Sequence, residues 1–332
     1  MKERFETDTN SRFRSINDFS SFSQNELKSL NNSNFHNKIL SINTSLINNT
    51  DRNTDEPSEQ SNRSGQLSRD INSIGFIGIK DKSGKKNGFG IQKYQDGSIY
   101  KGNYFNDKSS GFGIFYHSDG DIQKGEFYNG ITKGYGEYYH KKEVKYYGYW
   151  LNDIQYGIGY EIWSDSSEYY GNYYDGKKYG LGTNIWPDKT RYEGEWKNNV
   201  REGFGIYYFK NGNIYIGEFR NNIIDGYGEF SWKEGRKYYG FFKGDKKEGF
   251  GICYWPKDQF FIGFFKEGKQ CGVSKCISGN EIIYRKWKNG KKENKYSNEK
   301  QFFNNFNQDE KKYTKYFKWD INKLKEYMEI EY

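Results

Sequence analysis

From residue 76 onward, apolar and polar positions follow a pattern that repeats every 23 residues. Each copy opens with an aromatic residue, any residue, glycine, any residue and a second aromatic, as in Tyr192-Glu193-Gly194-Glu195-Trp196. Residues i, i+2 and i+4 of a β-strand share a face, so both rings and the glycine between them point the same way. The pattern therefore predicts one strand per copy with an aromatic face.

Each predicted strand is followed at once by a turn and a return strand. The eighth position of every copy is Asp, Asn or Gly, residues that tolerate positive φ, and this predicts a tight hairpin turn. The return strand carries a Gly-x-Gly such as Gly203-Phe204-Gly205. A two-residue loop would pair Gly194 with Gly203 and lay the Tyr192 ring over Gly205. Because the repeat length is odd, one turn in each copy has to be odd or contain a bulge.

The aromatic and glycine face is interpreted as structural and as a candidate groove for a partner. Its members are Tyr146, Gly148, Trp150, Tyr169, Gly171, Tyr173, Tyr192, Gly194, Trp196, Gly203, Gly205, Tyr215, Gly217, Phe219, Tyr238, Gly240 and Phe242.

Eight to nine copies extend over residues 74–292. Each copy can bury its rings only against its neighbours, so the fold class predicted is all-β, an elongated single-sheet solenoid of tandem antiparallel β-hairpins. Residues 1–73 are rich in Asn and Ser and are predicted to be disordered. Residues 293–332 form a tail in which Asp320 would begin a short helix over residues 320–331.

Composition supports a thin sheet rather than a large core. Phe, Trp and Tyr make up 20% of the chain and there are 39 glycines, while Val and Leu are sparse and Ala is missing. The missing Ala, with abundant Asn, Lys, Ile and Tyr, suggests an AT-rich genome such as a protist's. A net charge of +8 gives a mildly basic surface that permits anionic partners. The three cysteines provide no even-numbered disulfide framework and indicate reduced thiols. We expect a cytoplasmic protein, peripheral to a membrane, the cytoskeleton or a cilium, and not a secreted one.

The unit Tyr192–Trp196 with Gly203-Phe204-Gly205 resembles the MORN motif (membrane occupation and recognition nexus). The units that begin at Tyr169 and Tyr215 are similar to it as well, and the resemblance covers about residues 76–292. It departs from the motif at Gln123, Ser274 and Arg285. The resemblance implies hairpin arrays that are often dimeric, that occur at membrane–cytoskeleton junctions and in cilia, and that also accompany catalytic domains as accessory modules.

Catalytic chemistry is not predicted. The recurrent Gly-x-Gly lies within strands and no helix follows it, so it is structural rather than a phosphate-binding loop. The chain has no P-loop or kinase motif. His117 and His140 share one repeat position and are read as surface or groove residues, with a metal pair as the alternative. The sequence predicts no catalytic residue, no cofactor and no metal site.

Basic residues recur near the predicted hairpin tips and are candidate contacts for anionic lipid. They are Lys177, Lys178, Lys246, Lys247, Arg285, Lys286, Lys288, Lys291 and Lys292.

The leading hypothesis is a non-enzymatic scaffold or tether that binds protein partners. One alternative is a module that binds phosphoinositides or anionic membranes. Another is a regulatory subunit of a separate enzyme, such as a lipid kinase. A homodimer is compatible with each of these hypotheses, and a nucleic-acid partner is not expected.

Overall fold

A computed structural model describes residues 75–141, 144–257, 259–296 and 304–306. The chain divides into unit 1, which ends at Ser164, and unit 2, which begins at Asp165. The predicted disordered region 1–73 and the predicted helix 320–331 lie outside the described residues. Both units consist of antiparallel strands, which confirms the predicted all-β class of tandem hairpins.

Unit 1 contains eight strands, each paired with the next along the chain. They are β1 (Gly75–Lys80), β2 (Lys86–Lys93), β3 (Ile99–Phe105), β4 (Lys108–Tyr116), β5 (Ile122–Tyr128), β6 (Ile131–Tyr139), β7 (Lys145–Leu151) and β8 (Ile154–Ile162).

Unit 2 contains twelve strands in the same sequential pairing, and a helical turn at residues 304–306. The strands are β9 (Glu168–Tyr174), β10 (Lys177–Ile185), β11 (Arg191–Lys197), β12 (Val200–Tyr208), β13 (Ile214–Arg220), β14 (Ile223–Ser231), β15 (Lys237–Lys243), β16 (Lys246–Trp255), β17 (Gln259–Lys266), β18 (Lys269–Ser278), β19 (Glu281–Lys288) and β20 (Lys291–Lys295). Within the described ranges, no helix has the length and apolarity needed to cross a membrane.

The tight turn of each repeat is followed by a bulge that changes the predicted register. Asn198 and Asn199 have φ of 51° and 68°, as the predicted two-residue turn requires, and Trp196 pairs with Arg201 beyond it. Gly194 then pairs with Gly205, so the predicted pairing with Gly203 is wrong. Gly203, with φ of +86°, lies in a bulge opposite Glu195 that the sequence pattern did not reveal.

The second turn of each repeat keeps successive copies facing the same way. Tyr208 pairs with Ile214, which leaves residues 209–213 as a five-residue loop closed by Phe209 N donating to Asn213 O at 2.9 Å. An odd loop of this kind offsets the odd repeat length. The prediction of an odd turn or a bulge is confirmed, because the repeat of β11 and β12 contains both, whereas the last such turn, between Ser278 and Glu281, has two residues.

Most of the core lies on one side of the sheet, which we call the glycine face because it carries the paired glycines and the rings that cover them. In unit 2 a smaller cluster around Phe250 and Phe264 packs on the other side. The Tyr192 ring lies over Gly205 as predicted, since a Cβ atom on Gly205 would be 2.5 Å from Tyr192 Cε2. Tyr192 also meets Trp196 edge to face at 5.3 Å and Phe219 at 5.0 Å. Such contacts recur from repeat to repeat, and aromatic rings make up most of the core.

A hydrogen bond fixes each of these tyrosine rings in place. The phenol oxygen donates to the main-chain carbonyl three residues further on, as Tyr192 does to Glu195 O at 2.9 Å. The same bond is made by Tyr100, Tyr146, Tyr169, Tyr215 and Tyr238. Burial raises the pKa of the phenols of Tyr100, Tyr146, Tyr192, Tyr215 and Tyr238, so these stay protonated donors. The other side of the sheet is called the opposite face.

Candidate functional site: the glycine face

The sequence-predicted aromatic residues form the core of the glycine face. All ten are at most 9% exposed: Tyr146, Trp150, Tyr169, Tyr173, Tyr192, Trp196, Tyr215, Phe219, Tyr238 and Phe242. The predicted glycines lie beneath or beside these rings, except for Gly203, which faces the Glu195 carboxylate on the opposite face. A partner on the glycine face would therefore meet the side chains around the rings rather than the rings themselves.

A row of variable side chains crosses the glycine face beside the buried rings. Each member is the second residue after a hairpin turn and pairs with the second aromatic residue of the repeat, as Arg201 does with Trp196. We call it the variable row: Ser109, Thr132 and Gln155 in unit 1, and Lys178, Arg201, Ile224, Lys247 and Gln270 in unit 2. The buried rings and the paired glycines beneath them, which we call the aromatic frame, recur along the chain. The residue type in the variable row changes from repeat to repeat.

Lys178 and Arg201 place positive charge on the aromatic frame of unit 2. Lys178 Nζ lies 4.3 Å from the centre of the Tyr169 ring and 5.0 Å from that of Trp196. The Arg201 guanidinium lies 5.1 Å from the Tyr207 ring and 5.5 Å from that of Phe219. Ring faces attract cations, so both side chains are held close to the sheet.

Lys247 provides a third cation on the same face. Its Nζ is 4.5 Å from the ring centres of Trp232 and Tyr238, and Trp232 also contacts the Arg236 guanidinium, at 3.8 Å. Burial lowers the pKa of Lys247 and raises the pKa of the neighbouring Cys253 thiol. Neither Arg201 nor Lys247 forms a salt bridge with a described carboxylate. Arg201 donates one of its five N–H groups to Asn222 O, so Arg201 and Lys247 both keep donors for an external anion.

In unit 1, Gln123 stands where the other repeats have an aromatic residue, so the aromatic frame lacks one ring there. Gln123 Nε2 donates to Thr132 Oγ1 at 2.7 Å, and Thr132 Oγ1 donates to Asp153 Oδ1 at 2.8 Å. With no phenol ring in this place, the Trp150 indole moves over Gly136, and its Nε1 has no hydrogen-bond partner among the described residues.

The two histidines lie near a buried carboxylate rather than in a metal site. Asp121 accepts a 2.5 Å hydrogen bond from Tyr138 Oη, and its carboxylate is 3.8 Å from His140 Nε2. Burial of Asp121 opposes its ionisation, but the bonds from Tyr138 and from Lys141 N outweigh this and hold its pKa below the usual value. The described part of the chain contains no cluster of three metal-ligating side chains.

The structure divides the predicted basic residues between two locations. Lys177, Lys246, Lys288 and Lys291 flank hairpin turns, and Lys286 is on the opposite face. Lys178, Lys247, Arg285 and Lys292 lie on the glycine face. Neighbouring residues of a strand point to opposite faces, so these basic residues do not form a single row, and their contact with anionic lipid stays a prediction.

Sequence reasoning missed the variable row. Its signal is present, since its members also recur every 23 residues, but they share no residue type and only the turn register assigns them to the glycine face.

Comparison with known proteins identifies the repeat. The MORN repeat family matches residues 82–99, 100–122, 124–142, 192–214, 215–235 and 238–259. No curated protein matches the chain. Among solved structures, the TCP10 domain of Danio rerio CPAP in complex with a STIL peptide is 10% identical, covers 67% of this chain and 99% of its own, and has a TM-score of 0.41. The Drosophila melanogaster SAS-4 TCP domain with a proline-rich motif of Ana2 is 13% identical, with coverages of 64% and 97% and a TM-score of 0.25. Six matched repeats over residues 82–259 show that the chain belongs to the MORN repeat family.

Proposed function

We propose that this MORN-repeat protein is a non-enzymatic scaffold whose glycine face in unit 2 binds an extended acidic segment of a protein partner. MORN repeats are in general non-catalytic and suggest protein binding or membrane association. The proposal places the protein at a membrane–cytoskeleton or ciliary structure. Imaging of the tagged endogenous protein tests this location, and a diffuse cytoplasmic signal would exclude it.

The observation that carries the proposal is the set of three cations in the variable row, Lys178, Arg201 and Lys247, each held on aromatic rings. Neighbouring strands are about 4.8 Å apart, so one repeat of two strands advances about 10 Å. Lys178 and Arg201 are one repeat apart, and Lys247 is two repeats further on. The cations therefore lie at about 0, 10 and 30 Å along unit 2.

This spacing predicts the partner's sequence. An extended chain in the polyproline II conformation rises about 3.1 Å per residue with three residues per turn, so acidic side chains at i, i+3 and i+9 lie on one side and would meet the three cations. Each contact would be a charge-assisted hydrogen bond, which is about twice as strong as a neutral one. Because the cations already lie against rings, little side-chain entropy is lost when the partner binds.

Fluorescence anisotropy with labelled extended peptides tests the proposal on the full chain. A peptide with Glu at i, i+3 and i+9 should bind at least tenfold more tightly than one with the same residues at i, i+2 and i+7. The double variant Arg201→Gln, Lys247→Gln should abolish the preference. Lys197→Gln is the control, because Lys197 is exposed on the opposite face. Equal binding of both peptides, or an equal loss in the control, would overturn the proposal.

A second candidate function, binding to anionic membranes, is favoured by three consecutive hairpin tips. Each tip carries a cross-strand pair of lysines: Lys243 with Lys246, Lys266 with Lys269, and Lys288 with Lys291. Directly opposed like charges destabilise a sheet, so three such pairs in a row point to an external anion. Lysines near an anionic bilayer contribute about 1 kcal/mol each.

Vesicle flotation separates this candidate from peptide binding. Wild-type protein should float with phosphatidylserine vesicles at physiological salt, and the variant Lys246→Gln, Lys269→Gln, Lys291→Gln should not. No flotation of the wild type removes the membrane function. Flotation that instead depends on Arg201 and Lys247 would assign lipid binding to the glycine face.

A further inference from the structure

The opposite face of unit 1 exposes large apolar side chains. Phe105, Phe112 and Tyr128 are 62%, 48% and 56% exposed. Further exposed members are Phe89, Tyr149, Leu151, Ile154, Tyr156 and Ile158. A contiguous apolar surface of this kind is typical of an interaction site rather than of a solvated face.

The same face carries an excess of positive charge. Strands β2–β8 place six lysines and two glutamates on it, a difference of 6 − 2 = +4. The lysines are Lys93, Lys101, Lys108, Lys124, Lys133 and Lys145, and the glutamates are Glu126 and Glu137. Charge complementarity therefore favours an acidic occupant.

Three of these lysines are held at the level of the sheet. Lys101 Nζ is 5.4 Å from the Tyr116 ring centre, Lys124 Nζ is 4.7 Å from that of Tyr139, and Lys133 Nζ is 5.4 Å from that of Tyr128. An anionic group has to approach the sheet closely to reach them. The carboxylate of a polypeptide segment can do so, whereas headgroups of a flat bilayer meet lysines that extend away from the protein.

A pocket in this surface has room for a large side chain. Its volume is about 570 Å³, and it is lined by Phe112, Tyr128, Glu126 and Lys133 and by the glycines of β4 and β6, Gly111 and Gly134. The glycines lack side chains, so backbone forms part of the lining. Apolar walls with a few polar groups are typical of a site for an apolar side chain.

Unit 2 shows what can occupy such a position. Phe250 occupies the same repeat position as Phe112, six repeats further on. There, Phe306 of the chain's own helical turn packs on the opposite face with its ring centre 5.2 Å from that of Phe264 and 6.5 Å from that of Phe250, and Phe306 is 3% exposed. A phenylalanine from a separate segment thus buries one copy of this site, while the copy at Phe112 stays exposed.

We propose that the opposite face of unit 1 docks an acidic amphipathic segment of a partner protein. One large apolar side chain of this segment enters the pocket beside Phe112 and Tyr128, and its carboxylates meet Lys133, which lines the pocket. This surface is separate from the glycine face of unit 2, so the two interactions give the chain two protein-binding surfaces.

The test is anisotropy of the full chain with a labelled peptide that has one Phe flanked on each side by two Glu. The variant Phe112→Glu, Tyr128→Glu should weaken binding at least tenfold, and replacing the peptide Phe with Ser should do the same. Tyr174→Glu is the matched control, because Tyr174 has the repeat position of Tyr128, is 57% exposed and lies in unit 2. Its affinity should stay within twofold of the wild type.

Several outcomes would overturn the proposal. Equal binding of the Phe and Ser peptides would remove the pocket, and equal loss in the Tyr174→Glu control would remove the assignment to unit 1. A loss caused by Arg201→Gln with Lys247→Gln would move binding to the glycine face, while leaving the function proposed for that face intact. Vesicles of phosphatidylserine that bind through Phe112 and Tyr128, without any peptide binding, would make the surface a membrane contact instead.

Discussion

The two units have the same arrangement of rings and glycines on their glycine faces, but their opposite faces differ. In unit 2, many charged side chains of the opposite face pair with one another: Arg191 with Glu193 at 3.2 Å, Arg220 with Asp225 at 3.4 Å, and Lys237 with Glu229 at 2.9 Å. In unit 1, lysines of that face lie over tyrosine rings, and Lys124 also pairs with Glu137, at 3.8 Å.

The sixth position of the repeat shows the same difference. It holds exposed Phe105, Tyr128 and Leu151 in unit 1, and then, after Tyr174, it holds Lys197, Arg220, Lys243 and Lys266 in unit 2. The rings and glycines of the glycine face provide most of the core of each repeat, so folding constrains this exposed position on the opposite face little. The opposite face can therefore differ between the units according to what binds there.

The largest expected difference in stability is between variants of Phe250 and Phe112, which occupy the same repeat position on the opposite face. Phe250 is 1% exposed beneath Phe306, whereas Phe112 is 48% exposed. We expect Phe250→Ala to lower the free energy of unfolding by about 3–4 kcal/mol, because it leaves a cavity, and Phe112→Ala to change it by less than about 0.5 kcal/mol. Urea unfolding followed by circular dichroism measures both. Similar losses would show that the two copies of the site are equally buried in solution.

The sequence predicted the period, the hairpins and the ring over each paired glycine, because these depend on residue types that recur. It did not predict the bulge at Gly203, because the sequence alone does not distinguish a glycine at positive φ from a glycine beneath a ring. The bulge changed the register and with it the pairing of Gly194. The contrast between the opposite faces was also missed, since Lys124 and Lys237 differ only in what surrounds them.

The shared frame predicts that the units respond alike on the glycine face. A Cβ atom on Gly159 in unit 1 would lie 2.5 Å from Tyr146 Cε2, and one on Gly205 in unit 2 would lie 2.5 Å from Tyr192 Cε2. Gly159→Ala and Gly205→Ala should each lower the free energy of unfolding by about 2–3 kcal/mol, because the ring has to move. Urea unfolding is again the measurement.

The control for this pair is Gly130→Asn. Gly130 has φ of +90° in a turn with open space around it, and Asn tolerates positive φ, so the loss should stay below about 1 kcal/mol. A Gly159→Ala variant as stable as the wild type would show that the frame of unit 1 is looser than that of unit 2.

The smallest effect concerns the one described repeat in which unit 1 departs from the shared frame. Gln123→Tyr should place a ring over Gly125 and Gly136 and let the phenol donate to Glu126 O, as Tyr146 does to Tyr149 O at 3.0 Å. Trp150 could then return to the geometry of Trp196, whose Nε1 donates to Gly182 O at 3.0 Å. Thr132 would lose its bond from Gln123 but keep Asp153. We expect a net gain of about 1 kcal/mol from the added burial and hydrogen bonds.

Thermal unfolding of Gln123→Tyr and of the reciprocal variant Tyr146→Gln tests this expectation. Tyr146 is 2% exposed and its ring covers Gly148 and Gly159, so Tyr146→Gln should lower the free energy of unfolding by about 3 kcal/mol. Opposite signs for the two exchanges would show that tyrosine suits the frame at both positions and that Gln123 is retained at a cost in stability. If both variants were less stable than the wild type, the Gln123–Thr132–Asp153 hydrogen-bond network would stabilise unit 1 as well as a ring does. Otherwise the tyrosine of Gln123→Tyr would raise the free energy of unfolding.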